Sequence, residues 1–475
     1  MAIGEGPGYC VMEEIRKIGL FSCICIAIGI IIGAGIFGAL PVAIGMTGKG
    51  IALAFTLSTF TIVLRYYPTI VTGAAIPASF GYYMHATRLA GPNLGFTQVI
   101  ATFGNIFVQA ILATVFAMYF AALVPIDTRI IAVAVLLIFG AITCTGIKAS
   151  GTVQNLMVML LLSALFTFII GGFPHIKPIN LTIGEIFFPP DQTFLSMGAA
   201  IGLLSSSLMG GYIVMNFSDE IKNPGRAIPI TFVVSTSITA FVYILLSVVT
   251  IGVMPAKDAT TLAVVADKFM SPGLKVFFIT GGALFAASTT INATFLSGSR
   301  SLAVVARDKV IPEWFTNKNR FGVPQNSVLL LTICPAIVTA FGISIGTLLS
   351  AFSVLTILFG IILFIPVIRL PKRYPNSYKR SYMKPSRVII WVFIILGTIV
   401  SIYQIYSLMA ALDVPTWIAL FSWVVFWYMY FFLRKAYLKK KGVDLAAAMS
   451  SAYQPWEEKE LSLKKKEHAG MGAAE

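Results

Sequence analysis

The sequence predicts an all-α integral membrane protein with twelve transmembrane helices. Of its 475 residues, 57% are hydrophobic and only 11% are charged, whereas a soluble domain carries about 25% charged residues. The apolar residues are grouped in segments, and a helix needs about 20 such residues to cross a bilayer. This composition excludes a soluble protein. The net charge of +15 is therefore assigned to loops and tail at the membrane surface, and no nucleic-acid partner is expected.

The apolar segments set the predicted organisation of the chain. They cover residues 18–46, 50–74, 96–124, 129–147, 153–173, 194–217, 228–254, 274–297, 326–345, 347–369, 388–410 and 415–433. The predicted regions are a cytoplasmic N-terminus (1–17), a first five-helix repeat (18–173), an extracellular loop (174–193), a second five-helix repeat (194–369), a basic cytoplasmic loop (370–387), two further helices (388–433) and a Lys-rich cytoplasmic tail (434–475). Acidic residues precede the first segment, which argues against a cleavable signal peptide.

Basic residues are concentrated in alternate loops. The richest of these loops follows the tenth segment and contains Arg369, Lys372, Arg373, Lys379, Arg380, Lys384 and Arg387. Because loops rich in Lys and Arg stay in the cytoplasm, both termini are predicted to be cytoplasmic in a protein of the plasma membrane. The tail is predicted to be a solvated end that contacts anionic membrane lipid. The oligomeric state is left open.

No set of side chains in the sequence predicts catalysis or a resident metal. Four cysteines lie in apolar segments or at their ends, namely Cys23, Cys25, Cys144 and Cys334. They are predicted to be buried thiols rather than disulfide partners or metal ligands. No apolar segment offers the His, acid or Cys constellation that acid–base or nucleophilic chemistry needs. We therefore expect neither an enzyme nor an organic cofactor.

Glycines interrupt the first apolar segment, where Gly33, Gly35 and Gly38 fall within six residues. Glycine weakens a helix interior, and in hydrocarbon an opened turn is tolerated only where it faces protein, ligand or water. The pattern predicts a membrane helix broken half-way, with main-chain groups available to a ligand. The same spacing, G-x-G-x-x-G, occurs in dinucleotide-binding loops, but here the flanks are apolar and Asp and Glu are absent from residues 15–126. Close helix packing through small residues is the alternative interpretation.

A second interruption is predicted in the sixth segment, where Ser205, Ser206 and Ser207 precede Gly210 and Gly211. Serine side chains compete for main-chain hydrogen bonds, and a pair of glycines loosens a helix. The first and sixth segments occupy corresponding positions in two halves of five segments. Paired interruptions at such positions are the best sequence indicator of the binding site of a secondary transporter.

Three stretches carry a resemblance to a known family. The run IGAGIFG at 32–38, followed by Pro41, resembles the first helix of the amino acid–polyamine–organocation (APC) transporters. The run EIKNP at 220–224, with Arg226, Ile228 and Pro229, resembles the signature E-x-K-N-P-x-R-x-I-P that follows helix six of that family. Residues 290–312 resemble its helix-eight region.

The resemblance implies a leucine-transporter-like fold with two inverted five-helix repeats and two peripheral helices. It also implies an amino acid permease whose substrates are amino acids or related amines, moved by alternating access. Three positions depart from the family pattern. Ser206 and Ser207 stand where an aromatic residue is common, Leu161 stands where some proton-coupled members have lysine, and no acid is present near Val71. These departures leave the gating residue and the coupling ion open.

The predicted substrate site is built mainly from main chain, because every acidic residue lies in a loop, a tail or the end of a segment. Amides around residues 33–36 sit at a positive helix-dipole end and suit a carboxylate. Carbonyls near Ile30, Ile31, Ser206 and Met209 suit an ammonium group. The predicted site comprises Ile31, Gly33, Ala34, Gly35, Ile36, Asn105, Gln109, Ser206, Ser207, Met209, Gly210 and Tyr212.

Selectivity is expected from the side chains of this set. For Asn105 and Gln109 the alternative is a hydrogen bond between two helices. With no central acid, a small or apolar neutral amino acid is favoured over lysine or arginine. An amino acid or polyamine exchanger, and an amino acid sensor that does not transport, are the alternative functions.

An ion site is predicted where Ser288, Thr289 and Thr290 meet main-chain carbonyls near Ile30 and Gly33. Adjacent hydroxyls at this place join carbonyls of helix one around Na⁺ in sodium-coupled relatives of the fold, and hard cations prefer oxygen ligands. The alternative is that the threonine hydroxyls bond to carbonyls one turn back. Proton coupling stays open.

Two further sets of charged residues need an interpretation. Asp219, Glu220, Lys222 and Arg226 at the inner end of the sixth segment predict either an inner gate or a helix cap in a solvated loop. Arg65 is a basic residue well inside the second segment, and the sequence shows no acidic partner for it. An intramembrane charge is a functional hypothesis by default, but without a partner the structural role is favoured for Arg65.

Overall fold

The structure is a computed structural model that describes residues 18–78, 80–146, 151–181, 184 and 192–450. Within these ranges the side chains of residues 34, 151–154, 217 and 219 are not described. The predicted N-terminal region 1–17 and the distal part of the tail lie outside the described residues. So does part of the predicted loop 174–193.

The chain is nearly all helical, which confirms the predicted all-α class. In the described ranges the α-helices are α1 Leu20–Thr47, α2 Ile51–Ala75, α3 Gly81–His85, α4 Pro92–Phe103, α5 Asn105–Ala121, α6 Thr128–Cys144, α7 Gly151–Gly172, α8 Phe194–Ser207, α9 Gly210–Ile213, α10 Pro224–Val253, α11 Leu262–Ala266, α12 Pro272–Phe277, α13 Phe285–Arg307, α14 Gln325–Ala340, α15 Ile345–Ile362, α16 Phe364–Arg373, α17 Pro375–Lys379, α18 Arg387–Ala410, α19 Val414–Lys440 and α20 Leu445–Ser450.

Shorter helical turns connect them. The 3₁₀ turns are Gly48–Gly50, Phe173–His175, Pro178–Asn180, Val214–Glu220, Ala256–Asp258 and Glu313–Thr316, and π-helical turns cover Ala86–Ala90 and Phe278–Leu284. Among the described residues the extended contacts are two isolated bridges, Ile18 with Ile221 and Lys318 with Pro324.

Nine helical segments of the described chain are long and apolar enough to cross a membrane. The first, Leu20–Ala75, contains two helices, and two further apolar helices, Thr128–Cys144 and Gln325–Ala340, are shorter. Each predicted segment overlaps one of these helices, although the number of membrane crossings stays a prediction. Several boundaries differ: the third segment begins at Pro92 and is interrupted at Gly104, and the eighth continues to Arg307.

Polar caps fix where several helices begin. The side chain of Asp127 accepts from the amide of Arg129 at 2.7 Å before α6, and Ser344 accepts from the amide of Thr347 at 3.1 Å before α15. Thr193 forms a capping box with Ser196 before α8. Such caps satisfy amides that have no partner in the first helical turn.

Helix α1 lies at the centre of the bundle and packs against α5, α7, α8, α10 and α13. The last two long helices lie at the periphery. Only 28% of the apolar 18-residue stretch of α18 and 17% of that of α19 is buried inside the protein, whereas 78% of the corresponding stretch of Phe194–Asn216 is buried. The exposed apolar side chains of α19, such as Phe421 and Phe432, are the surface expected to face lipid.

The loops cluster at two ends of the bundle. One end is here called the basic end. There the side chain of Arg88 donates to the carbonyl of Met449 at 2.8 Å, and the side chain of Arg434 donates to the carbonyl of Lys309 at 3.1 Å. At the opposite end the amide of Lys177 donates to the carbonyl of Gly252 at 2.9 Å. The first and last described residues, Ile18 and Ser450, both belong to the basic end.

Asp308, directly after α13 at the basic end, is buried and accepts a hydrogen bond from the Tyr83 hydroxyl at 2.8 Å. Burial raises the pKa of this carboxyl from 3.8 to about 6, although the Tyr83 hydroxyl and the nearby Arg307 and Arg88 act in the opposite direction. A carboxyl whose pKa is raised in the folded state adds stability that is complete below its unfolded pKa. That stability is lost as pH rises through about 6.

We therefore expect the substitution Asp308→Asn to flatten the pH dependence of stability. Between about pH 3 and 7, the wild-type free energy of unfolding should fall relative to the variant, by at most about 3 kcal/mol in total. Thermal unfolding of the purified protein across this range measures the difference. Asp413→Asn, at an exposed position, is the control. Parallel pH profiles for wild type and Asp308→Asn would contradict the expectation.

Candidate functional site

Helix α1 is broken at Gly33, whose backbone angles are φ 6° and ψ −141° within an otherwise helical segment. This is the predicted interruption of the first segment. A Cβ atom at Gly33 would lie 2.5 Å from the hydroxyl oxygen of Thr290, so no larger residue fits without a shift of α13. The glycine is thus required by the close approach of a neighbouring helix.

Hydroxyl groups from other helices form hydrogen bonds with main-chain carbonyls next to the break. The Thr290 hydroxyl lies 3.1 Å from the Gly29 carbonyl, and the Tyr243 hydroxyl donates to the Ile31 carbonyl at 2.9 Å. The Ile31 carbonyl therefore accepts a hydrogen bond from a side chain of another helix. Tyr243 was not singled out by the sequence, since the contact joins residues far apart in the chain.

The second interruption is narrower than the sequence predicts. Helix α8 ends at Ser207, α9 begins at Gly210, and the segment then continues as a 3₁₀ turn from Val214. Leu208 and Met209 keep backbone angles near those of a right-handed helix. The chain therefore turns and tightens here without becoming extended.

The serine hydroxyls explain this limited opening. Those of Ser205 and Ser206 bond to the carbonyl of Gly202 at 2.8 and 3.2 Å, and that of Ser207 to the carbonyl of Leu203 at 3.4 Å. The side chains thus bond within their own helix and do not replace its main-chain ladder.

The two interruptions lie against each other. A Cβ atom at Gly210 would lie 2.7 Å from the main-chain nitrogen of Ile31 and 2.9 Å from a methyl carbon of Ile30. A Cβ atom at Gly35 would lie 3.1 Å from the Cβ of Ser207. Glycine is needed at these positions because two main chains approach closely.

A cavity borders both interruptions, with an empty volume of about 1440 Å³ that includes space open to solvent. Ten residues predicted for the substrate and ion sites line it: Ile30, Ile31, Gly35, Asn105, Ser206, Ser207, Met209, Gly210, Tyr212 and Thr290.

Of the remaining predicted substrate residues, Gly33, Ile36 and Gln109 do not line the cavity. Gly33 contacts Thr290, and Ile36 is fully buried. Gln109 is also fully buried, and its side-chain amide donates to the carbonyl of Ile291 on α13 at 3.4 Å. Gln109 therefore makes the helix–helix hydrogen bond that was the alternative interpretation. The side chain of Ala34 lies outside the described atoms.

Two tyrosines that the sequence analysis did not select also line the cavity. The rings of Tyr66 and Tyr212 stack at 4.2 Å between centroids, and the ring of Tyr82 meets Tyr212 edge-on at 6.1 Å. Asn216 donates to the Tyr82 hydroxyl at 3.4 Å. These rings come from three separate elements, so no local pattern would have grouped them.

A row of hydroxyls on α13 forms another part of the wall: Thr290, Thr294, Ser297 and Ser301. Their spacing of four, three and four residues places them on one helical face. This spacing is visible in the sequence, but the prediction included only Thr290 of these four residues. Thr294 donates to the carbonyl of Thr290 at 2.7 Å, which leaves its oxygen able to accept a hydrogen bond from a ligand.

The predicted ion site is only partly assembled. Thr290 is within reach of both the Gly29 carbonyl on α1 and the Ala286 carbonyl one turn back, at 3.1 and 2.9 Å. Thr289 bonds to the Ala286 carbonyl at 3.0 Å, as in the alternative interpretation, and Ser288 is half-buried. Among the described residues no group of three or more His, Cys, Asp or Glu side chains converges on a common point.

One residue of the predicted inner-gate cluster forms an ion pair with a residue outside that cluster. Glu220 pairs with Arg300 of α13 at 2.8 Å, whereas Lys222 and Arg226 are exposed, because their stretch of chain turns toward solvent. The side chain of Asp219 is not among the described ones. Arg300 follows Ser297 and directly precedes Ser301, the last member of the hydroxyl row. The ion pair therefore lies beside the end of that row that faces the basic end of the bundle.

Main-chain contacts reinforce this end of the site. The amide of Ile18 donates to the Glu220 carbonyl at 3.0 Å, and the amide of Lys222 donates to the Ile18 carbonyl at 2.9 Å. The start of α1 is thereby held beside the end of the second interrupted segment. These contacts connect the ends of both broken segments.

Comparison with known proteins places this architecture in a family. Residues 18–437 match the model of a family described as amino acid permease. An uncharacterized protein of Methanocaldococcus jannaschii is 30% identical over 64% of this chain and 71% of its own length. The methylthioribose transporter of Bacillus subtilis is 26% identical over 88% of this chain and 93% of its own. A vacuolar protein of Arabidopsis thaliana named cationic amino acid transporter 8 is 26% identical over 74% of this chain and 62% of its own.

The family match extends from the start of α1 almost to the end of α19. It therefore includes both interrupted segments and the cavity between them. The matched family, the Bacillus subtilis relative and the Arabidopsis thaliana relative are transporters, not enzymes. The chain belongs to the amino acid permease family of the APC superfamily and is a multi-pass membrane transporter.

Proposed function

We propose that this transporter carries an amino acid by alternating access and binds the amino and carboxylate groups of its substrate at the interruptions of α1 and of α8–α9. The observation that carries the proposal is the non-helical Gly33 beside a cavity lined by Gly35, Ser206 and Gly210. Main-chain groups at this point of a membrane helix are available only where protein, ligand or water occupies the opening.

The two charges of a zwitterion are matched by opposite features of the break. The half of α1 that follows Gly33 presents a helix N-terminus, where amides around residues 34–36 favour a carboxylate. The carbonyls of Ile30 and Ile31, together with those at the end of α8, favour the ammonium group. Recognition of this kind reads the part that all amino acids share.

Side-chain selectivity is assigned to the tyrosines and to the hydroxyl row. Tyr66, Tyr82 and Tyr212 provide aromatic surface, while Thr294, Ser297 and Ser301 provide neutral hydrogen-bonding groups. The lining residues in the described chain include no Asp or Glu. A neutral amino acid, small or apolar, is therefore the proposed substrate.

Transport is proposed to be coupled to Na⁺ or H⁺. The support for Na⁺ as co-substrate is the position of Thr290, whose hydroxyl oxygen lies 3.1 Å from a carbonyl oxygen of the broken α1. Oxygen ligands of this kind suit a hard cation. A dependence of binding on Na⁺ or on pH separates the two ions.

A second candidate substrate is a neutral polyol with a thioether, such as methylthioribose. Its support is the relative of that name, which covers most of the chain, and the hydroxyl row with no acid beside it. Such a solute has no carboxylate or ammonium, so it would use the hydroxyl row rather than the main-chain groups of the break.

The orientation and membrane are also proposed. The basic end is assigned to the cytoplasm, because positively charged loops stay there, and the membrane is the plasma membrane. In this orientation the pair Glu220–Arg300 closes the cytoplasmic side of the cavity. Opening toward the cytoplasm then requires that this pair and the Ile18 contacts separate.

The substrate is identified by thermal unfolding of the purified protein against the amino acids, spermidine and methylthioribose, with and without Na⁺. We expect a neutral amino acid to raise the unfolding temperature, since a ligand at about 100 times its Kd adds about 2.7 kcal/mol. Uptake of the same compound into proteoliposomes then separates a transporter from a sensor. Uptake only in the presence of internal substrate indicates an exchanger. Stabilisation by spermidine or methylthioribose alone would contradict the proposed substrate.

The substitution Gly210→Ala is expected to lower substrate binding and uptake at least tenfold. Its Cβ would meet the main-chain nitrogen of Ile31 at 2.7 Å, and main chain yields less readily than a flexible side chain. Gly45→Ala is the matched control, because nothing lies within 4 Å of a Cβ at that position of α1. Titration of ligand against each purified variant measures binding. Equal ligand affinity of the two variants would contradict the proposal that the interruptions form part of the substrate site.

Breaking the pair Glu220–Arg300 is expected to alter transport far more than stability. Both partners are about one-third exposed, and such pairs contribute about 0–1 kcal/mol to stability. Glu220→Arg or Arg300→Glu should slow uptake several-fold, and the double exchange should restore much of it. Lys439→Glu, at an exposed position near the end of α19, is the control. Uptake that stays at the wild-type rate in both single variants would refute the gate.

A further inference from the structure

Arg65 of α2 is one of the largest fully buried side chains, with 1% of its surface exposed. Its guanidinium donates to the hydroxyls of Ser205 and Ser401, each at 3.4 Å, and to the side-chain carbonyl of Gln404. These three partners are neutral. Within the ranges that the structure describes, no carboxylate forms an ion pair with Arg65.

The charge of Arg65 is fixed in place. Arginine stays protonated in proteins, and its long side chain normally reaches an interface or an acid when it lies in a membrane helix. Here Gln404 is held in turn by a hydrogen bond to Thr61 at 3.2 Å. The guanidinium is thus clamped between α2, α8 and α18 and keeps one full positive charge in the interior.

This charge lies directly behind the wall of the cavity. Its partner Ser205 precedes Ser206, and its chain neighbour is Tyr66; both Ser206 and Tyr66 line the cavity. On a third side, a Cβ atom at Gly360, another lining residue, would lie 3.4 Å from Cδ of Arg65. Three different parts of the wall therefore contact Arg65 or adjoin it in the chain.

We propose that Arg65 determines the charge of the accepted substrate: its positive charge excludes solutes with a net positive charge and favours those that carry a carboxylate without a side-chain cation. The inference rests on the proposed function, because it specifies the substrate class of that same cavity. Across a separation on the order of 10 Å and an effective dielectric constant of about 20, one unit charge changes an affinity by about tenfold.

A purely structural role makes a different prediction. If Arg65 only ties α2 to α8 and α18, its loss lowers binding of every ligand alike. If it sets charge selectivity, its neutralisation changes the ratio between two ligands that differ only in charge. Norleucine and lysine form such a pair of probes, because lysine has the same carbon chain with an added ammonium group.

The decisive variant is Gln404→Glu, which keeps the size of the side chain and places a carboxylate against the guanidinium. A carboxylate beside a positive charge is held in its ionised form, so the pair becomes neutral overall while Arg65 is retained. Gln404→Met is the matched control, since it removes the hydrogen bond and leaves the charge. Arg65→Gln is the second variant, for the case in which Gln404→Glu does not fold.

Binding of norleucine and lysine to each purified protein gives the affinity ratio. We expect wild type and Gln404→Met to prefer norleucine by tenfold or more, and Gln404→Glu or Arg65→Gln to reduce that preference about tenfold. A ratio within twofold of wild type in the folded variants, or a wild-type preference for lysine, would overturn the inference. If wild type binds neutral amino acids but the ratio of norleucine affinity to lysine affinity is unchanged in the variants, the proposed function stands and the proposed role of Arg65 is wrong. If wild type binds no amino acid, both fall.

Discussion

The conformation of Gly33 is the constraint on which the site depends. Main chain that leaves the helical path inside a bilayer exposes carbonyls and amides, and each group left unsatisfied there costs several kcal/mol. The structure meets this cost with hydroxyls of two other helices, since Tyr243 of α10 bonds to the Ile31 carbonyl and Thr290 of α13 approaches the Gly29 carbonyl. The broken helix thus explains why Tyr243 and Thr290 are buried in these apolar helices. The break in turn fixes which helices must surround α1.

The two interruptions contribute unequally to the site. At Gly33 the main chain departs fully from helical angles, whereas Leu208 and Met209 retain angles close to helical ones. The second interruption matters more for its shape, because Gly210 has no side chain and lets α9 approach the main chain of Ile31. The first break thus supplies hydrogen-bonding groups, and the second supplies the close approach and the serine side chains.

The sequence predicted the parts of this arrangement that local patterns encode. Glycine spacing indicated the stretch of α1 that contains Gly33, Gly35 and Gly38, and hydropathy located the helices, because both signals lie within a single segment. Pairings across the chain were not accessible in the same way. Arg300 pairs with Glu220 eighty positions away, and the stacked Tyr66 and Tyr212 belong to α2 and α9, which are far apart in the sequence. Gln109 shows the opposite difficulty, since an amide in a membrane helix serves a helix contact or a ligand equally well until its neighbour is known.

The position of Arg65 gives the peripheral helix α18 a direct connection to the cavity. Ser401 and Gln404 of α18 bond to the guanidinium, and close contacts bind the same helix to α8, since a Cβ at Gly202 would lie 2.8 Å from Leu408. A Cβ at Gly397 would lie 3.2 Å from the carbonyl oxygen of Leu64 on α2. Helices α2, α8 and α18 therefore interlock through small residues around one buried charge. A movement of α8 that opens the cavity either carries the guanidinium along or breaks its hydrogen bond to Ser205. The loss of a partner by a buried charge would be costly in a membrane. The three helices are accordingly expected to move as one body.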